Sequence, residues 1–289
     1  MTLPHLVGID FTSAPSKRKP ITVAYGQRSG AVLRLERVDR LHTMAGYEAF
    51  LREAGPWLGA FDFPFGLPRA FVDSLALGDS TAAVSAELHR RCATRMDFRA
   101  LVDGWGNTRP AGKRLIHRSA DSAMPGVSST SPLQTRYVPV GFMYFEGLSR
   151  LVDAGVSIPQ MLDGDVARVA LEGYPGQLAF ELIGRRSYKN AATAERFIAR
   201  KDIVDALEQG RTRLGFRLKL GHALREALVD DAAGDTLDAV LCLAQAAWCA
   251  AQPGYGLPAA LDPVEGWIAT SPAPAPAPAT ALVVTPSVP

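Results

Sequence analysis

The sequence predicts an α/β fold with a mixed sheet, three antiparallel strands plus parallel strands, flanked by helices. Two observations predict it. Three short apolar segments separated by turns precede a helical pattern and a fourth apolar strand, and the later chain adds one more apolar run followed by helical segments. A helix between two strands is the connection that parallel pairing requires. The 289 residues, 47% of them hydrophobic, suffice for a sizeable core.

The first third of the chain predicts an antiparallel meander. Residues 5–10 are typical of a buried strand. Residues 21–25 and 31–38 predict two more strands, and the glycines at 26 and 30 favour tight connections between them.

A helix and a fourth strand follow the meander. Thr43 is a suitable cap for a helix over residues 44–54, which Gly55-Pro56 ends. Residues 57–63 predict a strand that Pro64 closes. Because a helix separates it from the meander, we expect this strand to run parallel to the first.

The alternation breaks at about residues 69–135, a segment rich in Arg, Gly and Ser, which we interpret as a helical and loop insertion. It contains one predicted helix around 81–96. Residues 137–145 are aromatic and predict either a strand or another core segment. The apolar run 166–173 includes a further carboxylate, Glu172.

The remaining chain predicts helices and a tail. Pro175 is suited to the first turn of a helix. Helical patterns cover residues 191–209, 219–230 and 235–251. We interpret residues 1–270 as a single domain with its insertion and the Pro/Ala-rich residues 271–289 as a disordered tail.

Charge and cysteine content restrict the class of protein. The formal net charge of +2 gives no global attraction to nucleic acid. Three cysteines, none spaced as a zinc or redox pair, favour reduced thiols and a cytoplasmic protein. No apolar run approaches the roughly 18 residues of a membrane span.

Aspartates stand at the ends of apolar segments that are far apart in the chain. Asp10 closes the first predicted strand, and Asp62 follows the apolar core of the fourth. Asp235 and Asp238 lie three residues apart in the first turn of the late helix, on one face. Crossover helices begin near the carboxyl ends of parallel strands. We therefore expect the four carboxylates to meet.

Such a cluster predicts a metal site. Carboxylates held together repel one another unless a cation lies between them. Oxygen ligands alone suit Mg²⁺ or Mn²⁺. Two such ions about 4 Å apart activate water and stabilise the leaving oxygen in phosphodiester cleavage. The sequence thus favours a metal-dependent enzyme acting on phosphate esters.

Each carboxylate also has a purely structural interpretation. Asp235 can cap its helix, and the helix dipole favours Asp238 at the third helical position. Asp10 and Asp62 can both be turn formers. Glu172 can pair with an arginine. These alternatives stay open. The prediction of a metal site depends on the occurrence of several such carboxylates together.

The same positions resemble a known family. A strand ending in Asp, a second strand ending in an acid and a late helix opening with Asp-x-x-Asp-Ala resemble the RNase H-like fold and its RuvC-type resolvases. The chain is most similar to the predicted nucleases of domain of unknown function 429. The matching segments are Val7-Gly8-Ile9-Asp10, Phe61-Asp62-Phe63-Pro64-Phe65-Gly66-Leu67-Pro68, Glu172-Gly173-Tyr174-Pro175, Tyr188-Lys189, Asp235-x-x-Asp238-Ala239 and Glu265-Gly266-Trp267-Ile268.

The resemblance implies a metal-dependent nuclease with an acid cluster of Asp10, Asp62, Asp235 and Asp238 as metal ligands. Glu172 is implied as a fifth catalytic member that orients water. The chain departs from the resolvase pattern at Asp62, where a glutamate is usual. The implied partner is DNA or RNA.

Basic and hydroxyl residues supply candidate phosphate contacts. Lys189 follows a tyrosine in a matching motif, and Thr12 and Ser13 follow the first aspartate. Arg95 and Arg99 belong to a basic stretch between residues 89 and 118. Arginines there can position a nucleic-acid backbone while the metals do the chemistry. The alternative is that the basic stretches are solvated helix faces.

Two other functions stay open. Actin-like ATPases and sugar kinases also begin with a strand ending in Asp followed by hydroxyls, which suggests a nucleotide phosphotransferase. Those enzymes hold phosphates on glycine-rich hairpins, and no glycine directly follows Asp10 here. The second alternative is a non-catalytic nucleic-acid-binding module that keeps the fold.

Overall fold

The computed structural model describes residues 4–273, so the predicted tail lies outside the described residues from residue 274 onwards. A mixed sheet runs through this part of the chain. Its strands are β1 (His5–Asp10), β2 (Ile21–Ser29), β3 (Val32–Leu41), β4 (Trp57–Phe61), β5 (Val156–Ser157), β6 (Asp165–Glu172) and β7 (Arg217–Lys219).

Helices cover both faces of the sheet. They are α1 (Met44–Leu51), α2 (Arg69–Ser74), α3 (Thr81–Arg91), α4 (Arg95–Asn107), α5 (Val140–Asp153), α6 (Pro175–Ile183), α7 (Ala194–Glu208), α8 (His222–Asp230) and α9 (Asp235–Cys249), with short 3-10 helices at Ala120–Ser122 and Pro253–Gly256. No helix within residues 4–273 is long and apolar enough to cross a membrane.

The strand order is β5-β6-β4-β1-β2-β3-β7, which makes β1 central. β2 pairs antiparallel with β1 and with β3, as the predicted meander requires. β4 pairs parallel with both β1 and β6. The predicted α/β class with a mixed sheet is confirmed, and so is the parallel pairing of the first and fourth strands.

Alternation along β1 divides the core into two layers. Val7 and Ile9 belong to one buried cluster, which includes Phe98 of α4 and Phe145 of α5. Leu6 belongs to the other cluster, which is built with α6 to α9. Successive strand residues point to opposite faces, so the insertion and α5 cover one face of the sheet and the late helices cover the other.

Helix α9 lies directly on the central strand. A Cβ placed on Gly8 would be 2.1 Å from the Ala239 carbonyl oxygen and 2.1 Å from the Leu243 nitrogen. Only glycine permits this approach. The contact fixes where α9 crosses β1 and brings the first turn of the helix to the carboxyl end of the strand.

The insertion contains more helix than predicted. The single helix expected around 81–96 is wrong, because α3 ends at Arg91 and α4 begins at Arg95. The Thr94 side chain accepts a hydrogen bond from the Asp97 backbone, and the Asp97 carboxylate accepts one from the Thr94 backbone. This capping box begins a second helix where the sequence pattern looked continuous.

Two further segments differ from expectation. Of the alternatives for residues 137–145, the strand is wrong, because α5 begins at Val140 and buries Phe142 and Phe145 at helical spacing. The helix expected from residue 219 begins at His222 instead. Arg217–Lys219 form β7, an edge strand of the sheet that pairs parallel with β3.

Candidate metal site at the carboxyl ends of β1 and β4

Three of the predicted aspartates converge at one end of the sheet. Asp10 ends β1, Asp62 follows β4, and Asp238 lies in the first turn of α9. Each offers a carboxylate oxygen, and these oxygens all lie within 4.8 Å of one another. The parallel ladder sets this position, because the Asp62 backbone nitrogen donates to the Ile9 carbonyl at 2.8 Å.

Charge repulsion and burial act together on this cluster. Burial, followed by the nearby Asp238 and Asp62 carboxylates, holds the pKa of Asp10 well above its ordinary value. Burial likewise raises the pKa of Asp62 to about 7, against the opposing effect of Lys189. Both groups are therefore costly to ionise unless a positive charge lies beside them.

Lys189 supplies one positive charge. Its ammonium donates to Asp238 at 2.5 Å, and the Tyr188 hydroxyl donates to the other oxygen of the same carboxylate. Burial alone would lower the pKa of Lys189, but Asp238 and Asp62 raise it above its ordinary value. The lysine stays charged and offsets part of the repulsion.

With one lysine beside three carboxylates, the cluster has an excess of negative charge when the carboxylates are ionised. Asp10 is 7% exposed, and its Oδ2 has no hydrogen-bond partner within the described residues. A buried carboxylate oxygen without a partner is costly. One carboxylate oxygen each from Asp10, Asp62 and Asp238 forms a donor set that fits Mg²⁺ or Mn²⁺.

Asp235 and Glu172 lie at the same end of the sheet but in different surroundings. Asp235 lines the cavity above the cluster, and Lys19 contacts its carboxylate at 3.5 Å. Glu172 ends β6 and is 4% exposed. It accepts hydrogen bonds from Arg118 at 2.6 and 2.8 Å and from the Phe65 backbone at 2.8 Å. The alternative that Glu172 pairs with an arginine is confirmed.

Arg118 is a buried residue whose role the sequence analysis missed. It is 2% exposed and joins Glu172, Asp121 and the Glu265 carbonyl. Burial would lower the pKa of Arg118, but Glu172 and Asp121 raise it further above its ordinary value. Its partners are 3, 54 and 147 residues away, so no local pattern identified it.

The structure places four of the five predicted phosphate contacts at the cavity. Thr12, Ser13, Arg95 and Lys189 all line the cavity. Arg95 also donates to the Ser13 carbonyl at 3.3 Å. Arg99 is not among the lining residues of the described chain, and it donates instead to the Thr135 carbonyl.

The cavity has a volume of about 810 Å³ and opens beside the carboxylates. Residues that follow the acids, Phe11 and Phe63, form part of its apolar wall. The start of α5 and the turn after β6 form further walls, and the insertion contributes Arg95, Arg118, Ser129 and Thr130 to the lining. The sequence did not identify these walls, because they come together only through tertiary packing.

Comparisons of the chain with protein family models, curated proteins and solved structures found no match. The geometry of the site is therefore the main guide to its function.

Proposed function

We propose that the protein is a metal-dependent nuclease that hydrolyses phosphodiester bonds of DNA or RNA. One observation carries this proposal: Asp10, Asp62 and Asp238 bring carboxylate oxygens within 4.8 Å of one another in a buried site. The resemblance of the short motifs to the RNase H-like nucleases and to domain of unknown function 429 supports it.

The residues of the chain divide the work in this proposal. Asp10, Asp62 and Asp238 would hold Mg²⁺ or Mn²⁺, and Asp235 lines the same cavity. The metal supplies an activated water and neutralises charge on the phosphate. Lys189, which donates to Asp238 and lines the cavity, would contact the substrate phosphate.

The hydroxyl and arginine side chains then position the phosphate backbone. Thr12, Ser13 and Arg95 line the cavity and face the same space as the carboxylates. Arg118 keeps Glu172 in place as its partner. In this assignment Glu172 shapes the site and does not bind the ion directly.

A second candidate, a non-catalytic nucleic-acid-binding module, is favoured by one observation. Lys189 and Tyr188 already satisfy both oxygens of Asp238. A cluster neutralised in this way can be stable without a cation. The phosphotransferase alternative gains no comparable support, since residues 11–20 contain no glycine to form a phosphate-binding hairpin.

The test is Mn²⁺ binding by calorimetry on the wild type and on Asp10→Asn, followed by cleavage assays on single-stranded and duplex nucleic acid. We expect saturable binding that the variant loses, because the variant removes one anionic ligand. We also expect cleavage to fall by at least about 10³-fold, the loss of roughly 4 kcal/mol of transition-state stabilisation.

The matched control is Asp73→Asn, which removes an exposed carboxylate on α2. It should bind Mn²⁺ and cleave as the wild type does. Full cleavage by Asp10→Asn would refute the nuclease mechanism. A folded wild type that binds nucleic acid but no Mn²⁺, with or without that nucleic acid, would favour the binding module.

A further inference from the structure

The cavity beside the carboxylates is divided into a charged part and an apolar part. Lys19 and Lys189 lie with the acids, where they contact Asp235 and Asp238. Away from them the lining is apolar and comes mainly from residues 138–143 and from Tyr174-Pro175. A metal-bound phosphate occupies only the charged part, so the apolar part is available for another group of the same substrate.

The cavity as a whole is large enough for a nucleoside together with its phosphate. Pockets for small ligands and cofactors measure about 300–1,000 Å³, and this cavity measures about 810 Å³. Arg95 and Arg99 place their guanidinium groups 5.4 and 4.7 Å from the ring centroid of Phe142, which lines the cavity. Because Phe142 is only 6% exposed, the Arg95 guanidinium that lines the cavity, rather than the Phe142 ring, offers a planar surface on which an unpaired base can stack.

Two large hydrophobic side chains next to the start of α5 are strongly exposed. Tyr137 is 93% exposed and its neighbour Val138, which lines the cavity, is 56% exposed. Both precede α5, on the segment that walls the site. An exposed tyrosine next to a lining residue of the cavity offers a stacking surface for the next base along a strand.

We propose that this apolar part binds one unpaired nucleoside of the substrate, so that the enzyme acts on single-stranded ends or nucleotides in preference to paired duplex. This inference rests on the proposed function and adds the substrate class. A base inside a duplex would first have to leave its stack, at a cost of a few kcal/mol. A single-stranded end enters without that cost.

The decisive experiment compares thymidine 5′-monophosphate with inorganic phosphate by calorimetry in saturating Mn²⁺. We expect the nucleotide to bind wild type at least tenfold more tightly than phosphate. Val140→Trp, at the start of α5, should fill the apolar part and abolish that difference, while phosphate affinity stays within twofold. Val166→Trp, 86% exposed on β6, is the matched control and should keep the full difference.

A second, smaller substitution tests the site in case Val140→Trp does not fold. Val138→Asn replaces an exposed lining residue and should reduce the difference about threefold. Equal affinity of wild type for nucleotide and phosphate would overturn the proposal, and so would an undiminished difference in both cavity variants. Faster cleavage of duplex than of single strand would also overturn it.

Failure of the nucleoside-site proposal can be distinguished from failure of the nuclease proposal. If wild type binds no Mn²⁺ or cleaves nothing, the nuclease proposal fails. The same titrations without Mn²⁺ then decide the nucleoside site: a tenfold preference that Val140→Trp removes supports it, and no preference refutes it.

Discussion

The charges of single side chains determine when the site can accept a cation. Three carboxylates share one end of the sheet, while the Lys189 ammonium contacts only Asp238. Asp10 and Asp62 remain without a direct cationic partner within residues 4–273. Their ionisation and metal binding are consequently linked.

Without metal, the protein should lose stability as pH rises. Burial raises the pKa of Asp62 to about 7, whereas an unfolded aspartate titrates near 3.9. A raised folded-state pKa contributes stability that is present below pH 4 and lost as pH rises towards 7 and beyond. We expect a loss of about 2–4 kcal/mol over this window, measurable by urea unfolding in a chelator.

The variant Asp62→Asn should make this pH profile shallower, because it removes one of the two aspartate carboxyl groups of the cluster whose pKa burial raises. Asp73→Asn, on the surface, should run parallel to wild type. Saturating Mn²⁺ should stabilise wild type, and the stabilisation should grow with pH because the ion binds the deprotonated carboxylates. A wild-type profile that is flat from pH 4 to 7 in chelator would contradict the prediction.

Much of the acid cluster was predictable from sequence, and its partners were not. Asp10 and Asp62 follow buried strands, and Asp238 begins a helix, so local patterns and parallel pairing bring them together. Tyr188 and Arg118 reach the site through side chains whose contacts span 50 and 54 residues. No periodicity encodes such contacts.

At the scale of elements, the contact of α9 with β1 positions the site. The helix backbone touches the strand at Gly8, so Gly8→Ala would place a methyl carbon within 2.1 Å of backbone atoms at 239 and 243. We expect a loss of at least about 3 kcal/mol in the free energy of unfolding. Because α9 carries Asp238, Mn²⁺ affinity of any folded fraction should fall as well.

Gly104→Ala is the control for this variant. Gly104 lies inside α4, and a Cβ there meets no atom of the described chain within 4 Å. The change should stabilise the protein by up to about 1 kcal/mol, because alanine favours helix. Denaturant unfolding of both variants measures the comparison. Equal stability of Gly8→Ala and wild type would show that α9 can move away without cost.

The insertion shows the limit of sequence patterns for whole elements. Helical spacing predicted the region of α3, but the capping box at Thr94 that divides α3 from α4 looked like part of one helix. Aromatic residues before and within α5 fitted a strand equally well. Packing against α3 and α4 selects the helix, and those neighbours are unknown until the chain is folded.

At the scale of the whole molecule, Arg118 connects three distant parts of the chain. Its guanidinium joins the insertion through Asp121, the end of β6 through Glu172, and the late segment through the Glu265 carbonyl. Glu265 in turn accepts from the Arg69 backbone at 2.9 Å. One buried network thereby closes the insertion over the end of the sheet that holds the carboxylates.

Removing this arginine should therefore affect both stability and the site. Arg118→Met leaves two buried carboxylates without their cation, a loss that typically costs about 3–5 kcal/mol. Arg136→Met is the matched control, because Arg136 makes a two-bond pair with Asp103 at the surface and is 54% exposed. Exposed pairs contribute about 0–1 kcal/mol.

Urea unfolding gives the loss of stability for both variants. Mn²⁺ calorimetry on folded Arg118→Met should show weaker binding, because the wall of the site loosens. A loss as small as that of Arg136→Met would mean that the insertion is held on the sheet by its apolar contacts alone.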